Sequence, residues 1–361
     1  MKSDLEMPIN LPARYTKKSD LPGGGMSDVC ICEDTNLVRK VVVKAVKGGV
    51  DPAKLLDELQ ILSSIRSRYV VQVFDVVRDA SGNIVGIVEE YLEGASLSPV
   101  TATDGQSALR SLYPIVAGIA EIHRNGCVHR DLKPDNMKHD ANGQLKIFDF
   151  GLSKDQANAQ TGNLFFTKFY AAPEIFVQNA NGQHEFTTAA DIFAFGVIAL
   201  WTLNAGQLPS QLGEIPPNLP CPGADFAARA PYLPQPVIDA LNSCLSPNPL
   251  SRPSGEDLEK LIKRYILEWQ HKMTFTYGGK AHQLDKTRTS VKLKSGPCAI
   301  EIKYDGLDFV ITSVSGNVRI NNQTVQSGRK IEGSTVIVMR DAQSPYPASI
   351  TANVSHPEVT A

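Results

Sequence analysis

Hydrophobic spacing changes period twice along this chain, and that constrains its architecture more than any single residue does. Over the first ninety residues short apolar runs alternate with turns: Val41-Val42-Val43, Val70 to Val77, and Ile84 to Tyr91 behind a Ser81-Gly82-Asn83 turn. Between them Asp51 to Ser64 sets Leu55, Leu56, Leu59 and Leu62 at helical spacing, with Asp51 as N-cap and Pro52 at the first helical position. After Gly94 the period lengthens. Ala108 to Arg124 reads as a helix, and Gln183 to Leu203 contains the apolar helix D-I-F-A-F-G-V-I-A-L-W-T-L. Ser254 to Gln270 carries Leu258, Leu261, Ile262, Tyr265 and Ile266 on one stripe behind a Ser254 cap. Eight prolines between Pro209 and Pro236 forbid a long helix there and predict a structured loop. From about Met273 period two returns, in Ala299 to Lys303, Phe309 to Thr312, Val318 to Ile320 and Thr335 to Met339. Asp305-Gly306, Gly316-Asn317 and Asn321-Asn322 mark its turns, and the tail from Ser344 reads as frayed. The expected fold is α+β: a small antiparallel sheet with one helix, a helical region, then a separate all-β, sandwich-like module.

Composition narrows the classes further. With 361 residues, 42 % hydrophobic and 20 % charged, the chain is globular and long enough for about two domains. A net charge of −2 supplies no bulk attraction to nucleic acid or anionic lipid. No apolar run reaches membrane-helix length, and the N-terminal M-K-S-D-L-E-M-P-I-N-L-P has no apolar core for a signal peptide. Six cysteines are scattered and only Cys30 and Cys32 lie close, which fits reduced thiols and a cytoplasmic setting.

The chemistry is concentrated in His129-Arg130-Asp131-Leu132-Lys133-Pro134-Asp135-Asn136, followed by Asp149-Phe150-Gly151 and Ala172-Pro173-Glu174. Here the chain resembles the eukaryotic-type (Hanks-type) Ser/Thr protein kinases, from about Leu21 to Trp269. The resemblance implies a bilobal kinase fold with ATP and Mg²⁺, or Mn²⁺ in its place, acting on Ser or Thr hydroxyls of protein substrates, autophosphorylation included. Phosphoryl transfer needs in-line placement of a hydroxyl and neutralised phosphate charge. Asp131 is expected to orient the substrate hydroxyl and accept its proton, and Lys133 to contact the γ-phosphate. Asn136 and Asp149 offer hard oxygen ligands suited to Mg²⁺. Lys44, ending Val41-Val42-Val43-Lys44, matches the lysine that pairs the α- and β-phosphates, and Glu58 matches its helix partner. Leu21-Pro22-Gly23-Gly24-Gly25-Met26-Ser27-Asp28-Val29 aligns with the glycine loop: Gly24 and Gly25 keep its turn, Val29 closes it, and Pro22 and Ser27 depart from it. In the family His129 is a structural spine element, Asp191 braces the catalytic loop, and Glu174 pairs with Arg252.

The hinge reads Glu90-Tyr91-Leu92-Glu93-Gly94, which puts Glu90 and Leu92 along the adenine and Glu89 at the gatekeeper position. Lys138, two residues past Asn136, stands where the family keeps an apolar residue beneath the adenine. A buried carboxylate needs a partner, so Glu89 is expected to meet Lys44 or Lys138 and to bias nucleotide binding. Arg130 implies an activation segment ordered by phosphate, with Thr161 the candidate and Thr167 in a structural role. Cys298 to Met339 resembles the later strands of a forkhead-associated domain, though it shows no Ser-x-x-His phosphothreonine motif and its one Gly-Arg, Gly328-Arg329, falls late in the stretch. It is expected either to dock a phosphoprotein or another protein partner or to be a purely structural β-sandwich. The boundaries read as an arm over 1–13, a kinase domain over 14–270 (lobes 14–93 and 94–270) and a β module over 271–361. The rival reading is a pseudokinase scaffold binding partners through that module.

Overall fold

A computed structural model describes residues 9–21, 29–46, 52–100, 104–150, 169–177 and 186–359. The chain divides into two compact units, Met1–Ile262 and Lys263–Ala361. The first opens with five antiparallel strands: β1 (Tyr15–Leu21), β2 (Val29–Asp34), β3 (Arg39–Ala45), β4 (Val73–Arg78) and β5 (Ile84–Glu90). Their order is β1-β2-β3-β5-β4. Period two divides β3. Val41 and Val43 enter a core with Cys30, Cys32, Val77 and Val88, while Val42 and Lys44 take the opposite face. Helix α1 (Pro52–Ser64) buries Leu55, Leu59 and Leu62 and packs on β4, while Leu56 stays half-exposed. Its expected Asp51 cap lies outside the described residues.

The helical region begins with α2 (Gly105–Arg124), whose N-cap Asp104 accepts a hydrogen bond from Ser107 N at 3.0 Å. Gly118 is required on its inner face: a Cβ there would come within 3.0 Å of Tyr69 O and 2.8 Å of the Ile147 side chain. A short hairpin, β6 (Met137–His139) with β7 (Leu145–Ile147), packs on α2 and leads into Asp149. Helix α3 (Thr188–Leu203) is buried almost all round, as its unbroken apolar sequence requires. The proline-rich stretch holds short 3₁₀ turns and α4 (Phe226–Arg229), and its last proline, Pro236, sits in the first turn of α5 (Gln235–Cys244). Helix α6 (Gly255–Ile266) follows, with Ser254 Oγ accepting from Asp257 N at 3.1 Å.

The second unit is built from β8 (Met273–Tyr277), β9 (Lys280–Leu284), β10 (Ser290–Ser295), β11 (Cys298–Tyr304) and β12 (Phe309–Ser315), then β13 (Val318–Ile320), β14 (Gln323–Thr324), β15 (Lys330–Ile331), β16 (Ser334–Met339) and β17 (Ala348–Val354). They form a four-stranded sheet, β10-β11-β12-β15, and a six-stranded one, β14-β13-β16-β17-β8-β9. One apolar core, including Tyr304, Phe309, Ile337 and Ile350, draws on both sheets. Asn321 and Asn322 both take positive φ, 47° and 65°, as the two-residue turn between β13 and β14 demands.

The frayed tail expected from Ser344 is corrected here. Strand β17 pairs with β16 on one side and β8 on the other, in the interior of the sheet. Ile350 and Ala352 point into the core from an I-T-A-N-V alternation, which the prolines at 345 and 347 mask in the sequence. Replacing Ile350 by Ala leaves a cavity at the centre of the module and is expected to cost about 2–5 kcal/mol in urea denaturation. Thr351→Ala, on the exposed face, is expected to cost under about 0.5 kcal/mol.

Candidate active site

Asp191, in the first turn of α3, is the anchor. Its Oδ2 accepts from His129 N at 2.7 Å and lies 3.0 Å from His123 Nε2, and its Oδ1 accepts from Arg130 N at 3.0 Å. The positive end of the α3 dipole adds to this. The two amide contacts hold Arg130 at φ 69°, a left-handed conformation a non-glycine residue keeps only when its surroundings impose it. The next side chain is Asp131. Lys133 Nζ reaches its Oδ2 at 3.0 Å, and Asn136 Nδ2 donates to its backbone O at 2.8 Å and its Oδ2 at 3.2 Å.

His129 ties this loop to the segment after β7 that carries Asp149. Its ring is buried, with Nε2 3.1 Å from Phe148 O, and it packs on Phe150 at a 4.8 Å centroid distance. Asp131 N donates to Nδ1 at 3.3 Å, so the proton sits on Nε2. Burial pushes the imidazole pKa below its usual value, against the opposing pull of Asp191. Asp149 follows at φ 63°, its carboxylate about half exposed.

Lys44 closes the site from the sheet. Its Nζ lies 2.8 Å from Glu89 Oε2 and 3.1 Å from Asp149 Oδ1. Register explains the first contact: Glu89 on β5 stands opposite Val42, two residues before Lys44 on the same face of β3. The burial of Lys44 would lower its pKa, but the two carboxylates outweigh it and the result is raised. The expected pairing of Glu58 with Lys44 is corrected: Glu58 Oε1 lies 2.9 Å from Arg130 Nη2. Lys44 is already neutralised by two carboxylates, whereas the permanent Arg130 charge takes the helix glutamate. Of the two partners expected for Glu89 it meets Lys44, while Lys138 Nζ stands 5.7 Å from the Tyr91 ring.

The hinge residues are placed around this cluster. Leu92 is buried, and Val29 is the β2 partner of Lys44 in register. The Glu90 carboxylate is taken by Lys146 Nζ, 2.8 Å from both oxygens, and its backbone N donates to Gln72 O at 2.9 Å, so its side chain does not face a ligand. Sequence reasoning missed Lys146 and His123. The L-K-I alternation of β7 marks Lys146 as facing away from its neighbours, but spacing alone does not pair it with the hinge. Glu174 and Arg252 form a bidentate pair at 2.6 and 2.8 Å, and Arg252 Nη1 also donates to Ala189 O at 2.8 Å. Gly24, Gly25, Gly151, Thr161 and Thr167 lie outside the described residues.

Asn136 spends its donor nitrogen on Asp131, which leaves Oδ1 to ligate a cation beside the half-exposed Asp149 carboxylate. Among the described residues no cluster of three or more His, Cys, Asp or Glu side chains could hold a metal ion alone. Two oxygen donors fit a Mg²⁺ that arrives with phosphate and water to complete its shell.

A two-layered site of this kind, with a braced acidic loop below a strand lysine, defines a protein kinase. The profile of the protein kinase domain matches residues 15–264, and the chain belongs to that family. It is 32 % identical to a serine/threonine-protein kinase (drp72) of Corynebacterium efficiens, over 57 % of this chain and 44 % of that one. It is 30 % identical to the serine/threonine-protein kinase PknB of Mycobacterium leprae, over 59 % and 35 %, and 29 % identical to PrkC of Bacillus subtilis, over 70 % and 40 %. The chain thus spans less than half the length of these curated relatives. Among its described residues no helix is long and apolar enough to cross a membrane.

The buried neutral His129 makes a pH prediction. Its folded pKa lies below the unfolded value of 6.5, so the unfolded chain binds the extra proton and stability falls as pH drops through 6.5. Urea titrations from pH 7.5 to 5.5 are expected to show this slope in the wild type and a shallower one in His129→Phe, which is less stable at pH 7.5 but does not titrate.

Proposed function

We propose that the chain is a Ser/Thr protein kinase that transfers the γ-phosphate of ATP to Ser or Thr hydroxyls of proteins, itself included, in the cytoplasm. The observation that carries this is the geometry of Asp131, held between Lys133 and Asn136 and opposite the Lys44–Asp149 pair. Asp131 orients the acceptor hydroxyl and takes its proton as the oxygen attacks. Lys133, already on the Asp131 carboxylate, is within reach of the transferring phosphoryl group and offsets its charge. Lys44 binds the α- and β-phosphates, and Val29 with the Glu90 and Leu92 backbone lines the adenine. Asn136 and Asp149 hold Mg²⁺ or Mn²⁺, which when bound neutralises charge on the β- and γ-phosphates.

We assign the kinase domain to 14–270 and the β module to 271–361. The module's two antiparallel sheets around one core support a forkhead-associated likeness, and we propose that it docks a protein partner.

Labelled ATP with Mg²⁺ and a generic protein acceptor tests the reading. The wild type is expected to label itself and the acceptor. Asp131→Ala is expected to lose at least about 10²-fold in kcat, the usual scale for a positioned proton acceptor, while still binding ATP. Nucleotide bound by the wild type with no transfer to any acceptor would leave a scaffold in place of an enzyme.

A further inference from the structure

We propose that Glu89, the residue at the back of the nucleotide pocket, has taken over from Glu58 as the residue that positions Lys44 for ATP. The inference rests on the kinase reading above and assigns to the gatekeeper position a charge function that the helix glutamate would otherwise carry.

Geometry and burial both point this way. Glu89 Oε2 is 2.8 Å from Lys44 Nζ, and their side chains are only 7 % and 14 % exposed. At this depth an unpaired carboxylate is costly, and Lys44 is the cation that β3–β5 register brings to it. Asp149, the other contact of Lys44, is 45 % exposed and is the carboxylate proposed for the metal. It cannot serve as a dedicated anchor, because a bound cation competes with Lys44 for its oxygens. Glu58 is engaged elsewhere, on Arg130, at a site about a quarter exposed. An ammonium has three N–H donors in a tetrahedral arrangement. With one on Glu89 and one on Asp149, the third remains for a phosphate oxygen.

The position of the anchor matters. Glu58 sits on α1, so a lysine held by it would depend on where that helix lies. Glu89 sits in β5, hydrogen-bonded into the same sheet as Lys44. The lysine is therefore set by the sheet itself and stays in place whatever α1 does.

The test reads MgATP affinity at equilibrium by isothermal titration, and KM for ATP and for acceptor where transfer occurs. Glu89→Gln, nearly isosteric, is expected to weaken MgATP binding at least tenfold and to raise KM for ATP while leaving KM for the acceptor within about twofold. Glu58→Gln is expected to have the smaller effect on MgATP binding. In a Lys44→Met background Glu89→Gln is expected to add less than twofold, because its effect runs through the lysine. Should Glu89→Gln fail to fold, Glu89→Met fills the same buried site with an apolar side chain and is read in the same way. Unchanged or tighter binding on loss of the Glu89 charge overturns the proposal, as does a larger effect of Glu58→Gln or additivity with Lys44→Met. A wild type that binds MgATP but transfers nothing overturns the kinase reading alone, and one that binds no MgATP overturns both.

Discussion

One buried carboxylate sets the conformation of the catalytic loop. Asp191 accepts two consecutive backbone amides and faces the His123 ring, and each hydrogen bond to a charged acceptor contributes about 1.5–3 kcal/mol. That is enough to hold Arg130 in a left-handed conformation, which in turn orients Asp131. The effect spreads through His129, whose ring couples the loop to Phe148 and Phe150 and so to Asp149. The acid that would accept the proton and the acid that would hold the metal are thus positioned by the same few contacts. Two parts of α3 matter for this: its apolar body fixes the helix in the core, and its N-terminal turn presents Asp191.

A second set of charges ties the upper sheet to the hairpin that delivers Asp149. Lys146 on β7 grips both oxygens of Glu90 at the end of β5. Lys44 links β3 to Glu89 on β5 and to Asp149 beyond β7. Two lysines therefore tie β5 to β7 and the segment that follows it, each largely desolvated. Such pairs add little net stability over apolar packing, but breaking one leaves a buried charge unpaired. Their contribution is geometric: the hinge and the segment that carries the proposed metal ligand Asp149 move together.

Much of this was legible in the residues. The motif around Asp131, the period-two runs of β3 and β5 and the heptad-like leucines of α1 identify the site and the elements that carry it. Motif spacing says which acids are present, but not which of two acids reaches a given lysine. Glu58 and Glu89 differ in that respect only through strand register, which depends on the pairing of β3 with β5 and is not local. The pair Lys146–Glu90 escaped for the same reason, joining residues far apart in sequence. Strand β17 was missed because flanking prolines look like an ending. Burial on a single face leaves only a weak trace when half the residues are polar.

The placement of β17 beside β8 has a kinetic meaning. The first and last strands of the β module are hydrogen-bonded neighbours, so the six-stranded sheet closes only when its two ends meet. Contacts so distant in sequence must form against the full entropy of closing the intervening loop, and folds built on them assemble slowly. During synthesis the kinase unit precedes this module and is able to fold as it emerges. The β module has to wait until Val354 has left the ribosome. Until then β8 and β16 each expose an unpaired edge of the kind that invites association with other chains.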